Sequence, residues 1–219
     1  MATLVSVAAG QDYELLTADD FLEWLEPGKS ADLIDGEIEL HSPVSIAHAR
    51  LLNFVDRLLG SYVDRHKLGE VFREVVAVRL SSRNVFMPDL AFYRADRGDV
   101  FRETHTVGAP DLVVEVLSPR TAERDIGVKF AEYEQHGVRE YWILDPETRA
   151  HRFYRREGEL LVEFCGAADG NSRPDDPGRP RVIESSVVPG FFVRREWLNP
   201  EQLPSLDDAL EAIEAGQRG

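Results

Sequence analysis

The feature that most constrains the fold is a seven-residue run from Asp111 to Leu117, in which apolar and mostly β-branched residues surround a single glutamate. Such a run is typical of a central strand buried on most of both faces of a sheet. Alternation along the strand places Asp111, Val113 and Glu115 on one face. A carboxylate there costs several kcal/mol unless it is paired or binds a metal. Glu115 therefore most needs a partner, and a buried salt bridge to an arginine is the main structural alternative.

The flanking sequence predicts helices that alternate with groups of strands. Capping residues and apolar residues at helical spacing predict helices over 18–25, 46–65, 121–136 and 204–216. Alternating or continuous apolar runs, with an Asp-Gly hairpin turn after the first, predict strands over 31–34, 37–40, 70–80, 89–93, 111–117, 140–144, 151–156, 159–165 and 187–193. Residues 94–108 are predicted to form a loop with a helical turn, and residues 166–181 an exposed loop. This order indicates an α/β (α+β) fold with a mixed central sheet flanked by helices.

Composition limits the class of protein. The chain has 219 residues and a formal net charge of −15. This charge argues against a protein that coats nucleic acid non-specifically, because phosphate binding uses clustered lysines and arginines. The single cysteine, Cys165, cannot form an internal disulfide, so a reducing compartment, the cytoplasm, is expected. No segment approaches the ~20 apolar residues that span a bilayer, and we expect no membrane partner.

Two further features supply groups that a phosphodiesterase needs. Asp89 follows a proline at the first position of a predicted strand. Lys129 lies four residues from both Asp125 and Tyr133, so the three share one face of a predicted helix. Phosphodiester hydrolysis uses a hard cation held by oxygen ligands, and Mg²⁺ typically takes one or two carboxylates. Asp89 and Glu115 are predicted to be those carboxylates, and Lys129 is predicted to stabilise developing negative charge.

Each of these residues taken alone has an ordinary structural explanation. An aspartate after a proline is often a turn or cap residue, and a helix lysine such as Lys129 is often solvated and paired with a residue such as Asp125. His48, near the start of the second predicted helix, is expected to be an ordinary helix-start histidine rather than a site residue. Asp111 lies at the strand entrance, a whole strand length from the chemistry, and is expected to act as a cap. The functional prediction depends on the combination.

Five segments of the chain carry a resemblance to a known family. They are Leu33-Ile34-Asp35-Gly36-Glu37, Met87-Pro88-Asp89-Leu90, Ala109 to Pro119, Lys129 with Tyr133, and Gly137 to Pro146. Together they resemble the Uma2 (Uma-two) family, bacterial proteins similar to restriction endonucleases within the PD-(D/E)xK nuclease superfamily. The resemblance covers residues 13–197, which we predict to form one restriction-endonuclease-like domain. Residues 1–12 are then an N-terminal tail, and residues 198–219 a C-terminal acidic tail with a helix.

The resemblance implies a metal site and the residues that form it. It implies a Mg²⁺ site, which Mn²⁺ could also fill, and homodimers that act on nucleic acid, with DNA as the expected substrate. Asp89 matches the Asp of the PD motif and Glu115 the acid of the second motif, and the Val116 carbonyl is expected as a further metal ligand. The superfamily usually has a lysine two residues after that acid. That position is Leu117 here, and the family pattern moves the lysine to the following helix, at Lys129.

Two other positions bear on the predicted site. Glu37, in the Asp-Gly-Glu turn, is predicted as an additional catalytic acid. Arg120 stands where the family usually has a small polar residue, which leaves open either a phosphate contact or no role. The 166–181 loop and the tail after residue 200 are interpreted as additions particular to this chain.

Three functions are compatible with these residues. The first is a metal-dependent endonuclease that hydrolyses phosphodiester bonds in DNA. The second is a catalytically inactive nuclease-fold module that binds or regulates, which the charge of −15 and the scarcity of lysines favour. The third, hydrolysis of RNA or of a small phosphodiester, uses the same residues on a different substrate.

Overall fold

The computed structural model of the chain describes residues 15–26, 28–73, 76–118, 122–165 and 181–217. The N-terminal tail, Arg120 and all but the last residue of the 166–181 loop lie outside the described residues. The described helices are α1 (Ala18–Trp24), α2 (Ile46–His66), α3 (Ala122–Ile126), α4 (Val128–His136) and α5 (Leu206–Glu214), with 3-10 turns at Gly98–Val100 and Arg195–Leu198.

Within the described residues, the strands form three sheets. In chain order they are β1 (Ala31–Ile34), β2 (Glu37–Leu40), β3 (Gly69–Arg73), β4 (Ala77–Arg79), β5 (Val85–Phe86), β6 (Leu90–Arg94), β7 (His105–Val107), β8 (Leu112–Val116), β9 (Glu140–Leu144), β10 (Arg152–Glu157), β11 (Leu160–Cys165), β12 (Val182–Glu184) and β13 (Phe192–Arg194). The larger sheet has the order β11-β10-β9-β8-β6-β3, and the smaller has the order β2-β1-β5-β4-β7. The third sheet is the β12-β13 pair.

The first helix and hairpin form as the sequence predicts. The Thr17 hydroxyl accepts the backbone N–H of Asp20, and the Asp20 side chain bonds back to the Thr17 backbone, which completes a capping box. At the hairpin turn, Asp35 has φ 49° and Gly36 has φ 88°. Both values lie in the left-handed region that this two-residue turn requires and that Asp-Gly favours. The turn fixes the β1-β2 register, with Leu33 opposite Ile38.

The larger sheet is mixed and is covered on both faces by helices. β8 pairs antiparallel with β6 and parallel with β9, and all five of its residues are buried. Leu112, Val114 and Val116 face a core shared with α2 and α5. Val113 faces a second core, which contains Tyr133 of α4. Glu115, by the alternation of the strand, lies on that second face. This arrangement confirms the predicted mixed sheet with flanking helices.

The chain crosses from the smaller to the larger sheet immediately before β6. β5 pairs with β1 and β4 in the smaller sheet, whereas β6 pairs with β3 and β8 in the larger one. Residues 87–89 make this crossing. Asp89 therefore stands at the junction of the two sheets, next to the end of β8.

Two strand predictions and one loop prediction were wrong in their bounds. The run predicted as one strand over 70–80 is two strands, β3 and β4, which belong to different sheets. The predicted loop over 94–108 contains β7, which pairs in parallel with β4. The strand predicted over 187–193 is instead β13, paired with β12. β4, β7 and β13 have three residues each, too short for a sequence period to reveal, so their partners elsewhere in the chain define them.

The helix predicted over 121–136 is interrupted at Gly127. That residue separates α3 from α4 and has φ −99° and ψ −98°. Asp125 and Lys129 nevertheless approach to 3.6 Å across the break, between Oδ1 and Nζ. The face that carries the two residues is therefore kept.

The C-terminal helix packs into the larger core. α5 buries four apolar residues and contacts α2. Its N-cap, Ser205, accepts the backbone N–H of Asp208. No helix among the described residues has both the length and the apolar character needed to cross a lipid bilayer.

Candidate functional site

A cleft of about 1150 Å³ opens where the first hairpin, the start of α2 and the end of β8 meet. Asp89, Glu115, Val116 and Lys129 all line it. These are four of the five residues predicted for the site, and they come from the sheet crossing, from β8 and from α4. The structure thus brings together residues that are up to forty positions apart in the sequence.

Glu115 is held by contacts to both of its carboxylate oxygens. Oε1 accepts the Lys129 ammonium at 3.0 Å and the Tyr133 hydroxyl at 3.1 Å. Oε2 lies 3.4 Å from the backbone N–H of Asp89. The Glu115 side chain is only 5% exposed. The buried glutamate therefore pairs with a lysine. It does not form the buried salt bridge to an arginine that was the main structural alternative.

Asp89 is braced against the neighbouring strand. Its Oδ2 accepts the backbone N–H of Val116 at 2.6 Å. Its Oδ1 lies 3.6 Å from Nε2 of His48. The Asp89 side chain is 14% exposed, so it is more open to the cleft than Glu115. The side chain of Asp89 thus bonds to the β8 backbone, and the backbone of Asp89 lies close to the Glu115 carboxylate.

Lys129 is buried at the centre of the acidic groups. Its Nζ lies 3.0 Å from Glu115, 3.0 Å from Asp32 and 3.6 Å from Asp125, and its side chain is 4% exposed. Burial by itself would lower the pKa of Lys129, but the carboxylates of Asp32, Glu115 and Asp125 hold that pKa well above its ordinary value. The ammonium is therefore charged. Lys129 is buried, and so it is not the solvated helix lysine that was the ordinary explanation for this residue.

Asp32 belongs to the site although no sequence pattern indicated it. It lies on β1 with 0% exposure. Its Oδ1 accepts the backbone N–H of Met87 at 2.7 Å, and its Oδ2 lies 3.1 Å from Nε2 of His41. Burial acts to raise the pKa of Asp32, but Lys129 and the hydrogen bonds from His41 and Met87 outweigh it and hold that pKa well below its usual range. Asp32 is therefore a charged, buried carboxylate.

The acidic groups outnumber the cation they share. Burial raises the pKa of Glu115 well above its ordinary value. The Lys129 charge opposes that rise, while the charges of Asp125, Asp89 and Asp32 add to it. An excess of buried acids over cations makes ionisation of Glu115 costly, and a bound cation would lower that cost.

The oxygen donors fit a hard divalent cation. Among the described residues, no group of three or more His, Cys, Asp or Glu side chains is arranged to hold a metal ion. Mg²⁺ does not need one, because it usually binds one or two carboxylates and completes its shell with water and substrate oxygens. Asp89 and Glu115 provide two carboxylates at one cleft, and Val116 lines the same cleft. The donor set therefore fits Mg²⁺ better than a metal that prefers nitrogen or sulfur ligands.

The predicted role of Glu37 is not supported by its position. Glu37 is exposed at the turn end of β2 and does not line the cleft. Glu39, two residues further along the same strand face, does line it and lies 3.2 Å from Arg124. β2 lines the cleft from Ile38 onward, whereas Glu37, next to the turn, is exposed to solvent. The catalytic role of Glu37 stays a prediction.

His48 was expected to be an ordinary helix-start histidine, but it lines the cleft. It is buried in the first turn of α2, where its backbone N–H donates to the Ser45 hydroxyl. Its ring faces Asp89. That neighbour comes from a different part of the chain, so helix periodicity could not have revealed the contact.

Asp111 lies outside the cleft, as expected. It is fully buried, and Arg94, Arg97 and Arg139 each place a guanidinium nitrogen within 3.4 Å of it. Its Oδ2 also accepts the backbone N–H of Arg94 at 3.1 Å. The cap-like contact is thus present, together with ion pairs that the sequence did not predict.

Comparison with known proteins gives one family and one fold. The family model described as "Uma2: Putative restriction endonuclease" matches residues 18–180. A crystal structure of "a putative nuclease belonging to DUF820 from Anabaena variabilis" has a TM-score of 0.61 and 17% sequence identity, covering 90% of this chain and 99% of that chain. At this identity the likeness concerns the fold, and it confirms the expected restriction-endonuclease-like architecture. No curated protein matches the sequence.

Proposed function

Because the chain belongs to the Uma2 family, we propose that it is a metal-dependent endonuclease that hydrolyses phosphodiester bonds, with DNA as its substrate. The observation that carries the proposal is the meeting of Asp89, Glu115 and Lys129 in one cleft. The Glu115 carboxylate lies 3.0 Å from the Lys129 ammonium and 3.4 Å from the Asp89 backbone. Metal-assisted phosphodiester hydrolysis requires carboxylates that bind the metal ion and a positive group that stabilises the developing charge. The two carboxylates and the Lys129 ammonium are such groups.

Asp89, Glu115 and the Val116 carbonyl would hold the metal, Mg²⁺ or Mn²⁺. When bound, the ion supplies a polarised phosphate and a water of lowered pKa. Three acids surround the single Lys129 ammonium, and this excess of acidic groups favours a divalent cation at this place. The greater exposure of Asp89 leaves its carboxylate accessible from the cleft, where substrate would enter.

Lys129 and Tyr133 would orient the Glu115 carboxylate, and Lys129 would also stabilise charge on the substrate. The Tyr133 hydroxyl and the Lys129 ammonium both donate to Oε1, which fixes the rotation of the carboxylate. Lys129 keeps its charge because of the surrounding acids. An ammonium group fixed beside the reacting phosphate stabilises the charge that develops on the phosphate oxygens.

The test is a plasmid-nicking assay with Mg²⁺ or Mn²⁺. Wild type is expected to nick supercoiled DNA, and EDTA is expected to stop it. Glu115→Gln keeps the shape of the side chain and removes its charge, so it is expected to abolish nicking. Glu159→Gln, which removes an exposed acid at the β10-β11 turn, is the control and should cut like wild type. Equal nicking by wild type and Glu115→Gln would show that the activity comes from a contaminant and would overturn the proposal.

The substrate and the oligomeric state need separate measurements. The same assay on single-stranded RNA and on a small chromogenic phosphodiester distinguishes DNA from the other phosphodiesters that these residues could hydrolyse. Light scattering coupled to size exclusion tests the homodimer. A mass of twice 24.7 kDa is expected, whereas a mass of 24.7 kDa in the absence and presence of DNA would contradict the dimer.

A second candidate function is a catalytically inactive module that binds DNA or protein. The observation that favours it is the complete engagement of Lys129, which has three carboxylates within 3.6 Å. An electrophoretic mobility shift, run with and without EDTA, separates the two functions. Metal-independent binding without cleavage favours the inactive module, and metal-dependent cleavage excludes it.

A further inference from the structure

We propose that Asp32 is a positioning residue of this site, which fixes the Lys129 ammonium with one carboxylate oxygen and the segment before Asp89 with the other. The kinetic consequence of this role rests on the proposed nuclease function, whereas its geometric consequence does not. No substrate contact is assigned to Asp32. It would act only through Lys129 and Asp89.

The first contact fixes the lysine. A lysine that reaches a strand acid from a helix has a long side chain with several rotatable bonds. Glu115 holds its Nζ from the larger sheet and Asp32 holds it from the smaller sheet, each at 3.0 Å. Asp125, on the neighbouring turn, lies at 3.6 Å and offers a competing position. Without Asp32, the ammonium is expected to move toward Asp125 and away from Glu115.

The second contact fixes the chain crossing between the sheets. Met87 lies in that crossing, two residues before Asp89. Its backbone N–H donates to Asp32 Oδ1 at 2.7 Å, a shorter distance than the one from Asp32 to Lys129. A charged acceptor makes such a hydrogen bond stronger than a neutral one would. The bond therefore holds the backbone of Met87 in place, and with it the position of Asp89 two residues later.

A third contact orients the Asp32 carboxylate itself. Nε2 of His41 lies 3.1 Å from Oδ2, and Nδ1 of the same ring lies 2.8 Å from the Ser30 hydroxyl. Ser30 and His41 flank the β1-β2 hairpin, so the hairpin holds its own buried acid in place. The alternative is that Asp32 only neutralises a buried lysine. A buried ion pair by itself is weak evidence for either role, and the two must be separated by experiment.

The geometric test compares crystal structures of wild type and Asp32→Asn, grown with Mn²⁺ and Mg²⁺ both absent. The asparagine keeps the size of the side chain and an oxygen for the Met87 N–H, but loses the charge that holds Lys129. In wild type we expect Lys129 Nζ between Asp32 and Glu115. In the variant we expect loss of the 3.0 Å contact to Glu115 and movement of Nζ toward Asp125. If Nζ keeps its contact to Glu115 in the variant, the proposal is overturned, whatever the enzymatic activity.

The kinetic test uses the nicking assay. Misplacement of a catalytic group by about 1 Å can reduce turnover about 100-fold, and a fall of that order in kcat is expected for Asp32→Asn. KM for DNA and the metal concentration for half-maximal rate should stay unchanged. Adding Lys129→Met to Asp32→Asn should reduce kcat no further, because the lysine is already misplaced. A role in stability alone predicts the opposite: a lower midpoint of thermal unfolding with unchanged kcat at 25 °C.

One control variant and one substitute variant keep the outcomes distinct. Glu159→Gln removes an exposed charge at the β10-β11 turn, away from the cleft, and both its structure and its kcat should match wild type. If wild type shows no cleavage of any phosphodiester, the proposed function fails, but the position of Lys129 in the crystal still decides the role of Asp32. If Asp32→Asn does not fold, Asp32→Ser, a smaller neutral side chain, replaces it in both tests.

Discussion

Lys129 Nζ and Glu115 Oε1 lie 3.0 Å apart, joining the first turn of α4 to a central strand of the larger sheet. The position two residues after Glu115 holds Leu117, which is buried in the apolar core on that side of the sheet. The ammonium therefore reaches the acid from the covering helix and not from the strand. The same ammonium also lies 3.0 Å from Asp32 and 3.6 Å from Asp125, so the charge balance of the cluster depends on Lys129.

Replacing Lys129 with methionine should destabilise the protein strongly. Methionine has nearly the same length and no charge, so Asp32, Glu115 and Asp125 would be left with no ammonium between them. Removing one partner of a buried ion pair typically costs about 3–5 kcal/mol. Urea unfolding at pH 7 measures the loss. Lys67→Met, at an exposed position after α2, is the control and should stay near wild type. An unchanged free energy of unfolding in Lys129→Met would contradict the charged state assigned to this cluster.

A lysine placed on the strand should partly restore that loss. Leu117 and Glu115 point to the same face of the sheet, so the double variant Leu117→Lys/Lys129→Met would bring a new ammonium to the same acid. A double-mutant cycle should give a favourable coupling of about 0.5–3 kcal/mol. Leu117→Met/Lys129→Met is the control for the lost leucine contacts. If the variant with the strand lysine is no more stable than this control, the strand position does not reach Glu115.

Asp111 should matter for stability and not for catalysis. Asp111→Asn weakens the contacts to three arginines and to the backbone N–H of Arg94. Hydrogen bonds to charged groups are worth about 1.5–3 kcal/mol, and a loss of about 2 kcal/mol in the free energy of unfolding is expected. Asp96→Asn is a matched control, because Asp96 also pairs with Arg94 but is 71% exposed. A reduced nicking rate in fully folded Asp111→Asn would link this cluster to the site and contradict the prediction.

Glu140 should make stability fall as the pH rises above its unfolded-state pKa. Burial raises the pKa of Glu140 above its ordinary value, against the hydrogen bonds from Ser186 and Trp142. A carboxyl group with a raised folded pKa binds its proton more tightly in the folded state. Its contribution is therefore fully present below the unfolded pKa of about 4.3 and is lost as pH rises through the folded pKa.

The measurement is the free energy of unfolding of wild type minus that of Glu140→Gln, followed from about pH 4 upward. This difference should fall as the pH increases. Glu159→Gln, at an exposed turn position, should show no such trend relative to wild type. A difference that is constant with pH would mean that Glu140 keeps its ordinary affinity for protons.

Features decided by local chemistry were predictable from the sequence. The Asp35-Gly36 turn determined the hairpin and its register, because few residue pairs accept two left-handed positions in a row. Glu115 was recognisable because a carboxylate inside an apolar strand is costly to bury unless it is paired or binds a metal. Lys129 followed from its helical spacing to Asp125, which survives the interruption at Gly127.

Features decided by distant neighbours were not predictable. Asp32 alternates with apolar residues in β1 and therefore looks like a solvent-facing strand residue. It is buried because α4, nearly one hundred residues later, brings Lys129 against it. Glu37 and Glu39 are equivalent in the sequence, and only the position of the cleft distinguishes them. The contact of His48 with Asp89 was likewise not predictable, because Asp89 belongs to another part of the chain.

Because Lys129 contacts one acid from each sheet, mild denaturation would disrupt the site before it unfolds the larger sheet. Asp32 lies on β1, the second strand of the smaller sheet, in the hairpin whose other strand, β2, forms the edge, and peripheral elements can open at lower free energy than the core of a fold. Fraying of this edge would separate the acid from the ammonium while the larger sheet and its helices remained packed. Catalytic competence would then disappear in a molecule whose circular dichroism was still that of the native state.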